Sequence, residues 1–235
     1  MFNDHWALAA DRLTVRGGRA IQLAGTMADI PLLLLTATIW AYWTRVGVMV
    51  VRARRRTGHL AGLVPQQRLE RLMWIVWVPL VAAWMALPLL GLTTRTTGLL
   101  AVPPFAREQP VYAALRWVAA AGAIACLLLT MQCWSRMGRA WRMDVASDER
   151  TELIMDGLFA RIRHPIYALS MLLMFCSAVI LATVPMLVVA VVHVILMNVK
   201  ARNEERYLLH AHSTEYERYL RRTGRFVPRR AARAP

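Results

Sequence analysis

Five apolar windows, at residues 29–51, 72–92, 111–134, 165–183 and 184–199, dominate this chain and exclude an ordinary water-soluble fold. A helix that crosses a bilayer takes about 20 mostly apolar residues, because backbone polar groups in lipid must be satisfied within their own segment. The first three windows meet that length. The last two are shorter and are joined only by Thr183-Val184-Pro185, where Pro185 suits the first turn of a new helix. The expected fold is therefore an all-α integral membrane protein of about five transmembrane helices, the last two a tight hairpin, with a cytoplasmic C-terminal helix. An apolar content of 57% and a mean hydropathy of +0.39 agree with it.

The net charge of +15 raises the question of nucleic acid, and the placement of the cations answers it. Arginines cluster at 52–71, at 135–164 and from Lys200 onward, whereas Arg12, Arg16, Arg19, Arg95 and Arg107 alone occupy the opposite side. With five spans the three rich segments share one face. The positive-inside rule assigns that face to the cytoplasm, with the N-terminus outside. A membrane topology thus accounts for the charge, and no nucleic-acid partner is expected. The near-absence of lysine suggests a GC-rich genome, hence a bacterium and its inner membrane.

Residues 1–28 lack the long apolar run of a signal peptide and read as an interfacial or partly disordered lead-in. Residues 29–134 hold three transmembrane helices, and 135–235 mix polar segments with the hairpin. Trp40, Trp43, Trp74, Trp77 and Trp84 read as interfacial anchors and packing residues. Arg45 and Arg116 lie in apolar windows within snorkelling reach of an interface. Cys126, Cys133 and Cys176 fall inside spans without metal-ligand spacing, so neither a metal nor a disulfide is assigned. Residues 201–222 read as an amphipathic helix that Gly224 ends.

The chemistry is expected at the hairpin. Its entrance reads Arg163-His164-Pro165-Ile166-Tyr167 and its exit Asn203-Glu204-Glu205. Because the hairpin leaves and re-enters one surface, His164, Tyr167, Glu204 and Glu205 can meet. Pro165 pushes His164 out of helical geometry and then starts the span, while Gly157 permits a positive φ or a close backbone approach. Arg163 and His164 offer donors for a carboxylate, Tyr167 a ring and a hydroxyl, and Glu204 and Glu205 acceptors for an ammonium or ribose hydroxyls. Asn198, Arg202 and Glu205 share a helical face. Such a mouth suits a zwitterionic, partly aromatic cofactor. His193, deep in the last span, reads as a hydrogen-bonding partner for a neighbouring helix.

Gly157-x-Phe159-x3-Arg163-His164-Pro165-x-Tyr167, Glu204-Glu205-x2-Leu208, Tyr216-x2-Tyr219 and Phe226-Val227-Pro228, with Gly138-x2-Trp141-Arg142 upstream, resemble the isoprenylcysteine carboxyl methyltransferase and phospholipid methyltransferase superfamily. The resemblance implies S-adenosyl-L-methionine bound on the cytoplasmic side, with a lipid or lipophilic small-molecule acceptor arriving from the membrane. It makes Gly157, Arg163, His164, Pro165, Tyr167, Arg202, Glu204, Glu205, Tyr216 and Tyr219 the cofactor-binding set, with His164 and Tyr167 as catalytic candidates. One position departs from the family: the glycine three residues before the first tyrosine of the pair is Ser213 here.

Methyl transfer from a sulfonium is an in-line displacement that needs alignment in a dry site more than covalent help. The acceptor stays open: carboxylate methylation of the isoprenylcysteine type, with phospholipid N-methylation and small-thiol S-methylation as alternatives. An NADPH-dependent membrane reductase and a non-catalytic binder of anionic lipid are the rival classes.

Overall fold

A computed structural model of the protein describes residues 29–57, 67–93, 100, 109–138, 141 and 153–229. The lead-in expected at 1–28, Arg142 and the acidic stretch around Asp148 lie outside the described residues. Five α-helices follow in order: α1 (Ile30–Thr57), α2 (Arg68–Thr93), α3 (Pro110–Met137), α4 (Pro165–Ile180) and α5 (Val184–Arg222), with a 3₁₀ turn at Gly157–Ala160 before α4. Among the described residues there is no β-strand beyond one isolated bridge, Ile162 to Gly224. The fold is that of an all-α integral membrane protein. Four helices are long and apolar enough to cross a membrane, while α4 has 16 residues.

A short helix leaves its last carbonyls inside the apolar layer, where they need donors. Side chains of α3 supply them. Tyr112 Oη donates to the Val179 carbonyl at 2.6 Å, and Arg116 Nε donates to the Ile180 carbonyl at 3.1 Å. Arg116 also pairs with Asp29, whose Oδ1 accepts from Leu32 N at 3.1 Å and so opens α1. Arg116 therefore ties three helices at the arginine-poor end instead of snorkelling outward.

Helices α3 and α4 make the most extensive contact, and α2 packs on α5. Small residues permit it. Ala119, Ala120 and Ala123 are buried, and a Cβ on Gly122 would lie 3.3 Å from Cys176 Sγ. Two polar bridges cross the apolar interior: Trp84 Nε1 donates to Ser177 Oγ at 3.0 Å, and Ser170 Oγ lies 2.8 Å from His193 Nε2. His193 thus reaches a neighbouring helix, α4.

The hairpin's return strand and the amphipathic helix, expected as separate elements, are one helix of 39 residues interrupted at Ser213. Ser213 has φ 39° and ψ −112°, a conformation natural only to glycine. The backbone break that a glycine would serve is therefore kept by a serine, and it re-aims the turns carrying Tyr216 and Tyr219. No hydrophilic linker intervenes, so helix propagation carries α5 through the membrane surface.

Candidate functional site

The site is built where the entrance to α4 meets the far end of α5. Gly157 has φ +59°, and a Cβ there would lie 2.7 Å from Arg136 Nε, so only glycine lets the 3₁₀ turn pass Arg136. Arg136 pairs with Asp156 beside it. Residues 161–164 then run beside the tail: Arg163 N donates to Gly224 O at 2.8 Å, Gly224 N to Arg161 O at 3.2 Å, and His164 N to Arg225 O at 3.1 Å. Gly224 cannot carry a side chain, since its Cβ would fall 1.8 Å from Val227 O.

His164 caps α4 at φ −122° and ψ 63°, outside the helical region as its proline neighbour requires, and Pro165 opens the helix. Its ring stacks on Tyr167 with centroids 5.5 Å apart and planes 4° from parallel. Its two nitrogens face two carboxylates: Nδ1 lies 3.5 Å from Glu204 Oε2, and Nε2 lies 3.4 Å from Glu205 Oε1. Burial alone would lower the pKa of His164, but the Glu204 and Glu205 carboxylates outweigh it and the net shift is upward. The ring sits between two carboxylates, which favour its protonated form.

Glu205 is the hub. It accepts from Arg163 Nε at 2.9 Å and from Arg225 Nε at 3.0 Å, with a further contact from Arg225 Nη2. Arg163 reaches on to the carbonyls of Leu220 and Thr223, closing the end of α5. Tyr167 Oη donates to Glu204 Oε1, and Tyr219 Oη donates to Phe159 O at 2.6 Å. Tyr216 is buried beside Tyr219, with centroids 5.8 Å apart, and its hydroxyl has no hydrogen-bond partner.

Arg163, His164, Pro165, Tyr167, Glu204, Tyr216 and Tyr219 all line one cavity of about 220 Å³. Gly157 and Glu205 are outside its lining, Glu205 holding Arg163 from behind. Arg202 is exposed and joins neither the lining nor the hydrogen-bonded cluster, because the exit turn of α5 gives Glu204 to the cavity and Glu205 to the arginines while Arg202 faces outward. Arg225 is the member that sequence reasoning missed. A signal was available, since it directly follows Gly224 and precedes the Phe226-Val227-Pro228 motif.

A second cavity, of about 120 Å³, lies among the helices on the other side of Tyr167. Trp141, Ile166 and Tyr167 line both cavities, so the two adjoin. Tyr42, Trp43, Trp74, Trp77, Trp84 and Trp134 wall the second one. Of the two roles read for these tryptophans, packing holds for Trp43 and Trp84, which belong to or pack on the core, and Trp43, Trp74, Trp77 and Trp84 turn inward around a cavity. Only Trp40, which is 44% exposed, keeps an outward position. An inward ring of indoles is invisible in composition because both roles place tryptophan near helix ends.

Residues 118–210 match the model of the isoprenylcysteine carboxyl methyltransferase (ICMT) family. The match covers 93 of the 235 residues, from within α3 through the hairpin to beyond Glu205. It supports a membrane methyltransferase. No curated protein matches the chain. The ICMT-like segment therefore contains the hairpin entrance and exit, while Tyr216, Tyr219 and the Gly224–Arg225 strap lie beyond it.

Proposed function

We propose that the protein is an S-adenosylmethionine-dependent methyltransferase acting on a lipophilic acceptor from the membrane. The observation that carries this reading is the meeting of two cavities at Tyr167, one lined by Arg163, His164 and Glu204, the other walled mainly by aromatic side chains among the helices, with Glu70 and Lys200 also in its lining. When bound, S-adenosylmethionine supplies a methyl group on a positively charged sulfur. The residues of the polar cavity fit such a ligand: among the described residues the buried Tyr216 hydroxyl has no hydrogen-bond partner, Glu204 offers a carboxylate, and Tyr167, Tyr216 and Tyr219 offer rings.

Each residue then has a physical task. Arg163, fixed by Glu205 and the end of α5, presents the remaining face of its guanidinium to the cavity and suits a carboxylate. His164, stacked on Tyr167 and set between Glu204 and Glu205, positions the Tyr167 ring and both carboxylates. Tyr167 holds the passage between the cavities, where a donor and an acceptor atom would have to come within about 3–3.5 Å in line. The aromatic wall excludes water from that passage.

The arginine-rich end carries the polar cavity, which supports a cytoplasmic site under the positive-inside rule. The test is equilibrium binding of S-adenosylmethionine to the purified protein in detergent, followed by transfer of labelled methyl to a membrane lipid extract. Binding that Arg163→Ala weakens, with labelled lipid formed, supports the reading. No binding of S-adenosylmethionine by the intact protein rejects it. Lability of the product to base then separates an ester from N- or S-methylation.

A further inference from the structure

The aromatic cavity beneath Tyr167 is not uniformly apolar. His193 is 2% exposed, its Nε2 is engaged with Ser170, and among the described residues its Nδ1 has no hydrogen-bond partner. Trp43, in the same lining, has a buried Nε1 that also finds no partner among the described residues. The Trp84 ring joins the two, with centroids 6.1 Å from Trp43 and 5.3 Å from His193. Trp84 itself is satisfied, through Ser177. Buried polar atoms nearly always find partners, and an unmade bond of this kind costs about 1–3 kcal/mol. Two such atoms in the lining of one cavity point to a ligand that brings the partner with it.

Their position fixes where that partner would be. Ser170 follows Tyr167 by three residues on one face of α4, about 4.5 Å further along the helix axis at 1.5 Å per residue. His193 precedes Lys200 by about two turns of α5. Ser170 and His193 therefore lie deeper among the helices than the passage at Tyr167, by a distance of a few covalent bonds.

We propose that Trp43, Ser170 and His193 form a polar subsite for the acceptor, receiving an oxygen-bearing group such as an ester, amide or hydroxyl that lies a few bonds from the methylated atom. This rests on the methyltransferase reading above. An indole N–H can only donate, so the ligand atom facing Trp43 is an acceptor, and a bare alkyl or prenyl chain does not supply one. His193 Nδ1 serves as donor or acceptor according to the tautomer set through Ser170. The cavity therefore selects an amphiphile with two polar points, one at the passage and one deeper.

The experiment compares the wild-type protein with His193→Leu, His193→Gln, Ser170→Ala and Trp43→Phe. Each is incubated with methyl-labelled S-adenosylmethionine and increasing amounts of a bacterial membrane lipid extract, and the labelled product is fragmented by mass spectrometry. The wild-type product is expected to carry an oxygen within a few bonds of the new methyl group. His193→Leu and Trp43→Phe are expected to raise the half-saturating extract concentration about tenfold, the value of one buried hydrogen bond, with S-adenosylmethionine affinity unchanged. His193→Gln should recover part of the loss. A product with only hydrocarbon beyond the methylated group, or variants that saturate like the wild type, overturns the subsite. Should His193→Leu fail to fold, Trp43→Phe, which keeps an aromatic ring in place, decides alone. A wild-type protein that labels nothing and binds no S-adenosylmethionine refutes the underlying reading instead.

Discussion

The Tyr167 hydroxyl donates its hydrogen bond to Glu204 Oε1, joining the first turn of α4 to the exit of α5 across the passage between the two cavities. The same carboxylate lies 3.5 Å from His164 through its other oxygen. Tyr167→Phe keeps the ring stacked on His164 and removes only the hydroxyl. Loss of one such bond to a charged group is worth about 1.5–3 kcal/mol, so turnover of methyl label should fall at least tenfold with S-adenosylmethionine affinity nearly unchanged. Equal losses of affinity and turnover would count against Tyr167 as the passage residue.

Glu205 accepts from both Arg163 and Arg225 and is only 6% exposed. Removing it leaves two guanidinium groups without their shared carboxylate. Glu205→Ala should lower stability by about 3 kcal/mol, seen as a reduced melting temperature in detergent, and should weaken S-adenosylmethionine binding as Arg163 loosens. A variant that melts and binds like the wild type would remove Glu205 from the centre of the cluster.

Gly224→Ala tests the strap directly. A Cβ 1.8 Å from Val227 O forces the tail away from residues 161–164. Helical content should be preserved, while cofactor affinity falls about tenfold or more because Arg225 and the His164 backbone lose their alignment. Circular dichroism and equilibrium binding on one preparation check both halves of the expectation.

Ser213 offers the opposite experiment. A non-glycine residue at φ 39° and ψ −112° carries strain of order 1–3 kcal/mol, which glycine relieves in part. Ser213→Gly should therefore raise the melting temperature. A decrease would mean that the serine side chain supports the break rather than tolerating it.

The His164 pKa is raised above the ordinary 6.5 because Glu204 and Glu205 together outweigh the opposing effect of burial. A raised value means that the folded protein binds a proton the unfolded chain has released. The stabilisation is complete below pH 6.5 and disappears as pH climbs through the higher folded value. Melting temperature should decline with pH on the alkaline side of 6.5, and His164→Asn should flatten that decline. An unchanged slope would show that His164 is not the group being titrated.

The helices were legible because a bilayer admits few alternatives to a long apolar helix, and the His164-Pro165 entrance was legible because proline restricts its neighbour. The meeting of Tyr167 with Glu204 followed from the hairpin alone. Arg225 escaped notice because it reaches Glu205 only after the break at Ser213 returns the chain, and the flanking Gly224 and Phe226-Val227-Pro228 mark the stop without showing which carboxylate it meets. Arg116 was read alone as a snorkelling residue, and its partner Asp29, 87 residues away, went unread because only the fold brings the two window ends together. Arg202 misled for the reverse reason: helical periodicity shows which residues share a face but not which face looks at the pocket.

The strap between residues 161–164 and Gly224–Arg225 also bears on the order of synthesis. Arg163 waits for Thr223, made 60 residues later, before its guanidinium is held. The membrane helices can all be inserted while that contact is still missing, so the bundle forms first and the pocket last. A ribosome-bound chain that has exposed α4 but not residue 225 would be embedded while residues 161–164 still lack the strap that holds them.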